Sequence, residues 1–465
     1  MVPIEKQLDS NGESGRLEPE TQSSTDTTSN PHSYPTSATA MSHSQAVDDS
    51  QEAPSDIEKA PTANGPPAVP DGGLRAWLCV LGAWLTMFAT FGYANSFGVF
   101  QSYYIIKYPS VSPSDISWVG SVQLFFQFAF GAITGPLYDK GYFYHLMYSG
   151  SVLYIICIFM TSLCKEFWET FLSQGLGLGM GIGIILLPSF SIMSQYFNKK
   201  RALAMGIAVT GSSAGAIVLP IMLNRLIISH GFEHAVQYTG YLLMGCLIFA
   251  NLCLKPRLPP KSHPTVKPSP KVIFADLPYC LVVAGFFFVT WGQFFPIYYL
   301  QVYGEDHGLP ENLTQYTLAI LNAASVFGRI IPNHLADRFG SLNMITICSF
   351  LTGGMVFTIF GAGSVGGLIA VALLYGFFSG AYVSLMVPAL LAFAKSPSEI
   401  GSRTGLGMVI FSLTALTGTP IHGALLDKYG FYAPTIWAGV VCLTGSALMG
   451  VGTKLQRKRK GTWKV

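Results

Sequence analysis

Gly135-Pro-Leu-Tyr-Asp139-Lys140-Gly141 and Leu335-Ala-Asp337-Arg338-Phe-Gly340 are two short polar turns of one design, and Leu426-Asp427-Lys428-Tyr429-Gly430 repeats it. Each interrupts apolar sequence. Around the first turn, apolar runs cover 77–100, 115–138, 144–164, 167–194, 202–225 and 235–254. The second turn holds the same place in a second set, 276–300, 313–336, 342–361, 364–394, 404–426 and 431–453. A helix needs about 20 apolar residues to cross a bilayer core. These twelve runs therefore predict an all-α integral membrane protein with twelve transmembrane helices in two six-helix bundles. The acid of such a turn can meet an adjoining helix N-terminus and a basic partner. Asp139, Lys140, Asp337 and Arg338 are thus candidate gating residues, whose contacts lock one face and break when the cavity changes sides; the plainer reading is an ordinary polar turn.

Composition points the same way. Half of the 465 residues are hydrophobic and 11% are charged, with a mean hydropathy of +0.43. A water-soluble chain carries roughly 25% charged residues, so the solvent here is lipid. Residues 1–69 hold eleven acids against three bases and are rich in Ser, Thr and Pro, which predicts a disordered cytoplasmic tail. Bundles at 70–254 and 276–453 follow, joined by a cytoplasmic linker at 255–275 with six prolines and five bases, and a basic tail at 454–465 ends the sequence.

Lys and Arg in the connections give the orientation. Loops after even-numbered runs carry twelve, from Lys140 to Arg403, against four after odd-numbered runs: Lys107, Lys165, Arg225 and Lys428. Cytoplasmic loops carry the basic excess, so both termini are expected on the cytoplasmic side of the cell membrane. The sequon Asn312-Leu313-Thr314 then falls in an extracellular loop, which makes Asn312 a candidate glycosylation site.

Parallel halves with nested repeats resemble the major facilitator superfamily. A narrower resemblance lies in two stretches. Pro70-Asp71-Gly72-Gly73, and the run from Tyr196-Phe197-Asn198-Lys199-Lys200-Arg201 through Gly211-Ser212-Ser213-Ala214-Gly215, look like the two signatures of the monocarboxylate transporter family, with Phe327-Gly328-Arg329 beside them. The wording is closest to the fungal branch, which implies a carrier of organic acids, vitamins or secondary metabolites. The resemblance also implies that Arg329 is a substrate anchor. Where animal members of that family carry a first-helix Lys and an eighth-helix acid, this chain has Asn95 and Ser325. Proton-driven symport is therefore not implied, and a facilitator or exporter of a bulkier organic anion or metabolite is expected.

Arg329 stands out without the resemblance. It lies eight residues before Asp337, about 12 Å along a helix, and Arg at that depth costs some kcal/mol. Asp115, Glu166, Glu169 and Asp276 are the nearest acids and sit at helix ends. Arg329 thus either faces a wet cavity and pairs with an anionic substrate, or bonds backbone carbonyls and braces its helix. Asn95, Ser325, Asn322, Tyr93, Gln127 and Gln293 are the polar candidates to join it, each equally able to serve as interhelical glue. His422 is a candidate coupling residue or a packed histidine. Glycines at 175, 179 and 183, at 177 and 181, and at 211 and 215 form stripes for close helix contact.

Other classes lack their signatures. The eight cysteines have no metal-ligand spacing, and His230 and His234 flank Gly231 at a turn, so no metal or cofactor is expected. No nucleophile-base pair, phosphate loop or clustered basic motif suggests an enzyme or a nucleic-acid partner. A nutrient sensor built on a transporter scaffold is the alternative, with the acidic tail as its signalling element. The expected partners are a small-molecule substrate and the bilayer, and the expected state is a monomer.

Overall fold

The computed structural model describes residues 69–257, 269–394 and 399–465. The expected tail at 1–69, apart from Val69, lies outside these residues, as do 258–268 of the linker with Lys261 and Lys267, and Lys395. The described chain is helical: α1 Leu74–Ala94, α2 Phe97–Lys107, α3 Pro113–Ala129, α4 Gly131–Asp139, α5 Phe143–Leu163, α6 Phe167–Thr170, α7 Gly179–Ser191 and α8 Arg201–Cys253 come first. Then come α9 Pro270–Phe274, α10 Leu277–Asp306, α11 Glu311–Thr314, α12 Thr317–Phe339, α13 Ser341–Val356, α14 Val365–Leu391, α15 Ile400–Tyr429 and α16 Tyr432–Lys460. Among the described residues, ten helical segments are long and apolar enough to cross a membrane.

Two elements explain the difference between ten and the expected twelve runs. The 53 residues of α8 would measure about 80 Å if straight, far beyond one bilayer core. Gly231, at φ 80° and ψ 167°, breaks the helix. Both arms return to one end, because Tyr196 Oη just before α8 donates to the Lys255 carbonyl just after it, at 2.7 Å. The expected runs 202–225 and 235–254 are these two arms. The second element is α12, whose 23 residues include Asn322, Arg329, Asn333, His334, Asp337 and Arg338. It is long enough to span and is not one of the ten apolar segments.

Glycine sets the closest approaches. Gly175, Gly179 and Gly183 lie against Val119, Gln123, Phe126 and Gln127 of α3, while Gly177 and Gly181 lie against Cys157 and Tyr154 of α5. The two stripes thus serve two neighbours of one helix. Gly211 and Gly215 meet Trp84, Phe88 and Gly92 of α1 in the same way. Outward-facing side chains such as Leu81, Ile156, Phe249, Phe350 and Val440 are large, apolar and exposed. In a membrane they face lipid. Gly181→Val places a branched side chain where a Cβ already comes within 2.9 Å of the Tyr154 backbone. Overpacking of that kind costs about 1–3 kcal/mol, so the thermal midpoint of the detergent-solubilised chain should fall. Gly245→Val, with open space around its Cβ, should leave it unchanged.

Candidate functional site

A cavity opens among α1, α3, α7, α8, α10, α12, α14 and α15. Asn95, Gln127, Gln293, Asn322, Ser325 and Arg329 all line it. Phe91, Phe128, Phe294, Tyr298 and Phe411 give it aromatic walls, with Phe128 and Phe411 in edge-to-face contact at 4.1 Å. The cavity is therefore amphipathic, as small-molecule sites are.

Tyr93 is the exception among the expected residues. It lies two positions before Asn95, which is 200° of helical rotation, so the two side chains cannot share a face. Tyr93 is buried behind the cavity wall, against Phe100 and Tyr154. Thr404, which was not expected, lines the cavity instead.

Arg329 sits at the cavity floor, 9% exposed. Its Nη1 donates to the Val209 carbonyl at 2.9 Å and to Ser212 Oγ, both on α8. Its Nε has no partner, and among the described residues no carboxylate forms an ion pair with it. The bracing contact is thus present at one edge of the guanidinium, and among the described residues no acid compensates its charge. Around it, both amide atoms of Gln127 and of Gln293, and the Thr404 hydroxyl, are buried without hydrogen-bond partners. Buried polar groups are nearly always paired, by protein or by water, so the cavity offers hydrogen-bonding capacity to water or to a polar ligand.

Asn95 and Asn322 use their Nδ2 groups on their own helices, bonding Phe91 and Leu318 carbonyls at 2.7 and 3.0 Å. Ser325 shares a 2.7 Å hydrogen bond with Ser213 of α8. His422 does not reach the cavity. It is fully buried between Phe295 and Trp437, and neither ring nitrogen has a partner. Asn312 is exposed on α11, while the Thr314 of its sequon is buried and donates to the Glu311 carbonyl. Among the described residues no group of three metal-binding side chains occurs.

The two turn aspartates cap helix N-termini. Asp139 accepts hydrogen bonds from Gly401 N and Ser402 N at 3.0 and 2.9 Å, and from Ser402 Oγ at 2.8 Å, at the start of α15. Asp337 accepts from Ala202 N and Leu203 N at 2.8 and 2.9 Å, at the start of α8. Each carboxylate meets the free N–H groups and positive dipole of a helix N-terminus. The bases of the turns do not take part: Lys140 and Arg338 are exposed and in no ion pair among the described residues. Gly141 and Gly340, at φ 91° and 96°, supply the left-handed conformation that ends each helix.

Sequence reasoning missed two contacts near these caps. Gly131 and Gly135 of α4 cross Gly401 and Gly405 of α15 backbone to backbone. Both pairs are Gly-x-x-x-Gly, so the pattern was available although the partner was not. Arg403 is fully buried between Asp276 and Glu399, at 3.2 and 2.9 Å, and Arg459 reaches the other oxygen of Asp276 at 3.0 Å. Its only local signal was the i, i+4 spacing to Glu399.

A family model described as Major Facilitator Superfamily matches residues 82–390. The chain belongs to the Major Facilitator Superfamily. Among curated relatives, the Aspyridones efflux protein apdF of Emericella nidulans is 41% identical over 382 residues, covering 82% of this chain and 78% of its own. The Fujikurins efflux protein of Gibberella fujikuroi is 36% identical over 387 residues, covering 82% and 83%. Among solved structures, the human organic anion transporter TETRAN matches with a TM-score of 0.64 at 16% identity, over 81% of this chain and all of that one. The E. coli fucose:proton symporter matches with a TM-score of 0.63 at 16% identity, over 82% and 98%.

This facilitator is thus a multi-pass membrane transporter and not an enzyme. The sensor alternative finds no support in its relatives, which are named as transporters and efflux proteins. Asp139→Asn and Asp337→Asn keep the shape of the turn and remove its charge. Hydrogen bonds to a charged group are worth about 1.5–3 kcal/mol, so each variant should loosen its cap. A cysteine placed at Thr404 should then be alkylated faster by a water-soluble reagent added from the Asp139 side.

Proposed function

We propose that this protein exports an acidic secondary metabolite across the cell membrane by alternating access, with Arg329 as the anchor for the negative charge. The observation that carries this reading is the uncompensated guanidinium at the floor of a cavity lined by unpartnered amides and aromatic rings. The names of the two efflux relatives support the direction and the substrate class.

The same guanidinium gives the substrate a way to move the protein. Arg329 Nη1 holds the Val209 carbonyl, and its own carbonyl lies against Gly206, so Arg329 fastens α12 to α8 just inside the Asp337 cap. An anion that pairs bidentately with the guanidinium competes for that fastening. Substrate and joint thus draw on one guanidinium, which couples the loading of the cavity to the state of the joint.

In this reading the two arms of α8, together with α12, complete twelve spans in two six-helix bundles, 70–254 and 276–453. The turns at Asp139 and Asp337 and both termini are cytoplasmic, as the basic excess in the loops after even-numbered runs and at 454–465 supports. The likeness to the monocarboxylate transporter family is supported by the meeting of its two signature stretches: Asp71 accepts from Asn198 N and Lys199 N, each at 2.6 Å.

Uptake into inside-out vesicles tests the proposal with a panel of amphipathic carboxylates and cyclic enolic acids. Arg329→Gln should lower flux by roughly 10- to 100-fold, the loss of one charge-assisted pair. Arg329→Lys should restore part of it, because the charge remains while the planar fork is gone. Normal flux in both variants would remove Arg329 from substrate binding. With Asn95 and Ser325 neutral, flux of a permanently charged sulfonate should be insensitive to acidification from neutral pH. Steep acid stimulation would instead require a titrating group in the transport path.

A further inference from the structure

A second cavity lies beside the Asp337 joint. Lys199 and Arg201 line it from the start of α8, Asp337 and Gly340 from the end of α12, and Lys460 and Lys464 from the end of α16 and the residues after it. Four cationic side chains thus line it with one acidic side chain and the backbone of Val465, and both oxygens of that acid already accept Ala202 N and Leu203 N. Among the described residues none of the four cations forms an ion pair. Lys460 Nζ donates to the Ala392 carbonyl at 3.0 Å, which fixes its position without neutralising it.

The cations are gathered by structure. Leu342 N donates to the Val465 carbonyl at 3.1 Å and Asn343 Nδ2 to the Trp463 carbonyl at 2.8 Å, so the backbone on either side of Lys464 is tied to α13. Lys199 is anchored through its own N–H to Asp71. Trp77 against Phe197 and Trp463 against Phe339 are both large and exposed near the cavity mouth. Exposed tryptophans of this kind mark headgroup depth. An excess of cations over acidic side chains, converging at headgroup depth, suits an anion of more than one charge.

We propose that this pocket binds a phosphate-monoester group, presented by a phosphoinositide headgroup of the adjoining leaflet or by a soluble inositol phosphate, and that occupation holds the Asp337 joint shut. Basic pockets between membrane helices on the cytoplasmic side are suited to such headgroups, and the choice of this chemistry rests on the cytoplasmic placement of this end proposed above. The effect on transport follows from the walls. Two cations belong to α8 and its approach, and two to the α16 end. A dianion bridging them links the elements that must separate when the Asp337 cap breaks.

The test uses the full chain in detergent, titrated with short-chain phosphatidylinositol bisphosphate, phosphatidylserine and soluble inositol trisphosphate. The bisphosphate lipid should bind more tightly than phosphatidylserine. It should also slow alkylation of a cysteine at Thr404 from the Asp337 end. Lys199→Gln with Lys460→Gln should weaken binding roughly 30-fold, from about fivefold per basic side chain near a membrane surface. Lys454→Gln with Lys458→Gln removes the same number of charges, both from α16 and outside the pocket, and should change binding by less than about twofold. Binding of inositol trisphosphate with the same dependence on Lys199 and Lys460 assigns a soluble ligand, and a requirement for the lipid assigns the leaflet. Equal weakening in both double variants, or equal affinity for phosphatidylserine, overturns the site. Unchanged alkylation overturns the effect on the joint. Arg329→Gln should still bind the phosphoinositide, so failure of the substrate reading and failure of this one are separately visible.

Discussion

A carboxylate at a helix N-terminus is a modest interaction at a protein surface, worth about 0.3–1 kcal/mol through the dipole alone. In this chain it is placed where it decides the shape of the molecule. Asp139 reaches Gly401 and Ser402, and Asp337 reaches Ala202 and Leu203, so each turn holds a helix far away in sequence. The glycine crossing of α4 with α15, the fastening of α12 to α8 by Arg329, and the Arg403 cluster all lie on the same side of the cavity or at its floor. Remove the two caps and these contacts lose the register that brings them together.

The interaction is also reversible by design. A carboxylate bonded to backbone N–H groups can exchange them for water without leaving a buried charge behind, since the turns stand at helix ends. A buried pair such as Arg403 with Asp276 cannot, because breaking it strands a charge at several kcal/mol. The joint therefore combines two kinds of contact. In the proposed cycle the first kind breaks, and the second holds the ends of α10, α15 and α16 together.

Most of the helices were legible in the sequence because lipid imposes a length and a composition on each. Arg329 was legible for the same reason, since a cation at that depth is costly wherever it occurs. The turn aspartates were legible as a repeat, yet their partners were not: nothing local to Asp139 names Gly401 or Ser402. The glycine stripes of α7 and the preceding π-turn were read correctly as contact surfaces, and only packing could say that one served α3 and the other α5. Tyr93 was misplaced by treating a list of polar residues as if composition alone fixed the face, when two steps along a helix turn a side chain away. Arg403 read as one more loop cation because its acid partner on α10 is 127 residues away.

The polar character of α12 bears on how the protein is made. A helix carrying Asn322, Arg329, Asn333, His334 and Asp337 partitions poorly into lipid by itself, since an Arg or Asp at a helix centre costs about 2.5–3.5 kcal/mol on insertion scales. During synthesis α8 has already left the ribosome when α12 emerges, and it offers the Val209 carbonyl, Ser212, Ser213 and the N–H groups of Ala202 and Leu203. The earlier helix thus offers the polar partners that lipid lacks, so packing against α8 offsets part of what α12 loses on entering the membrane.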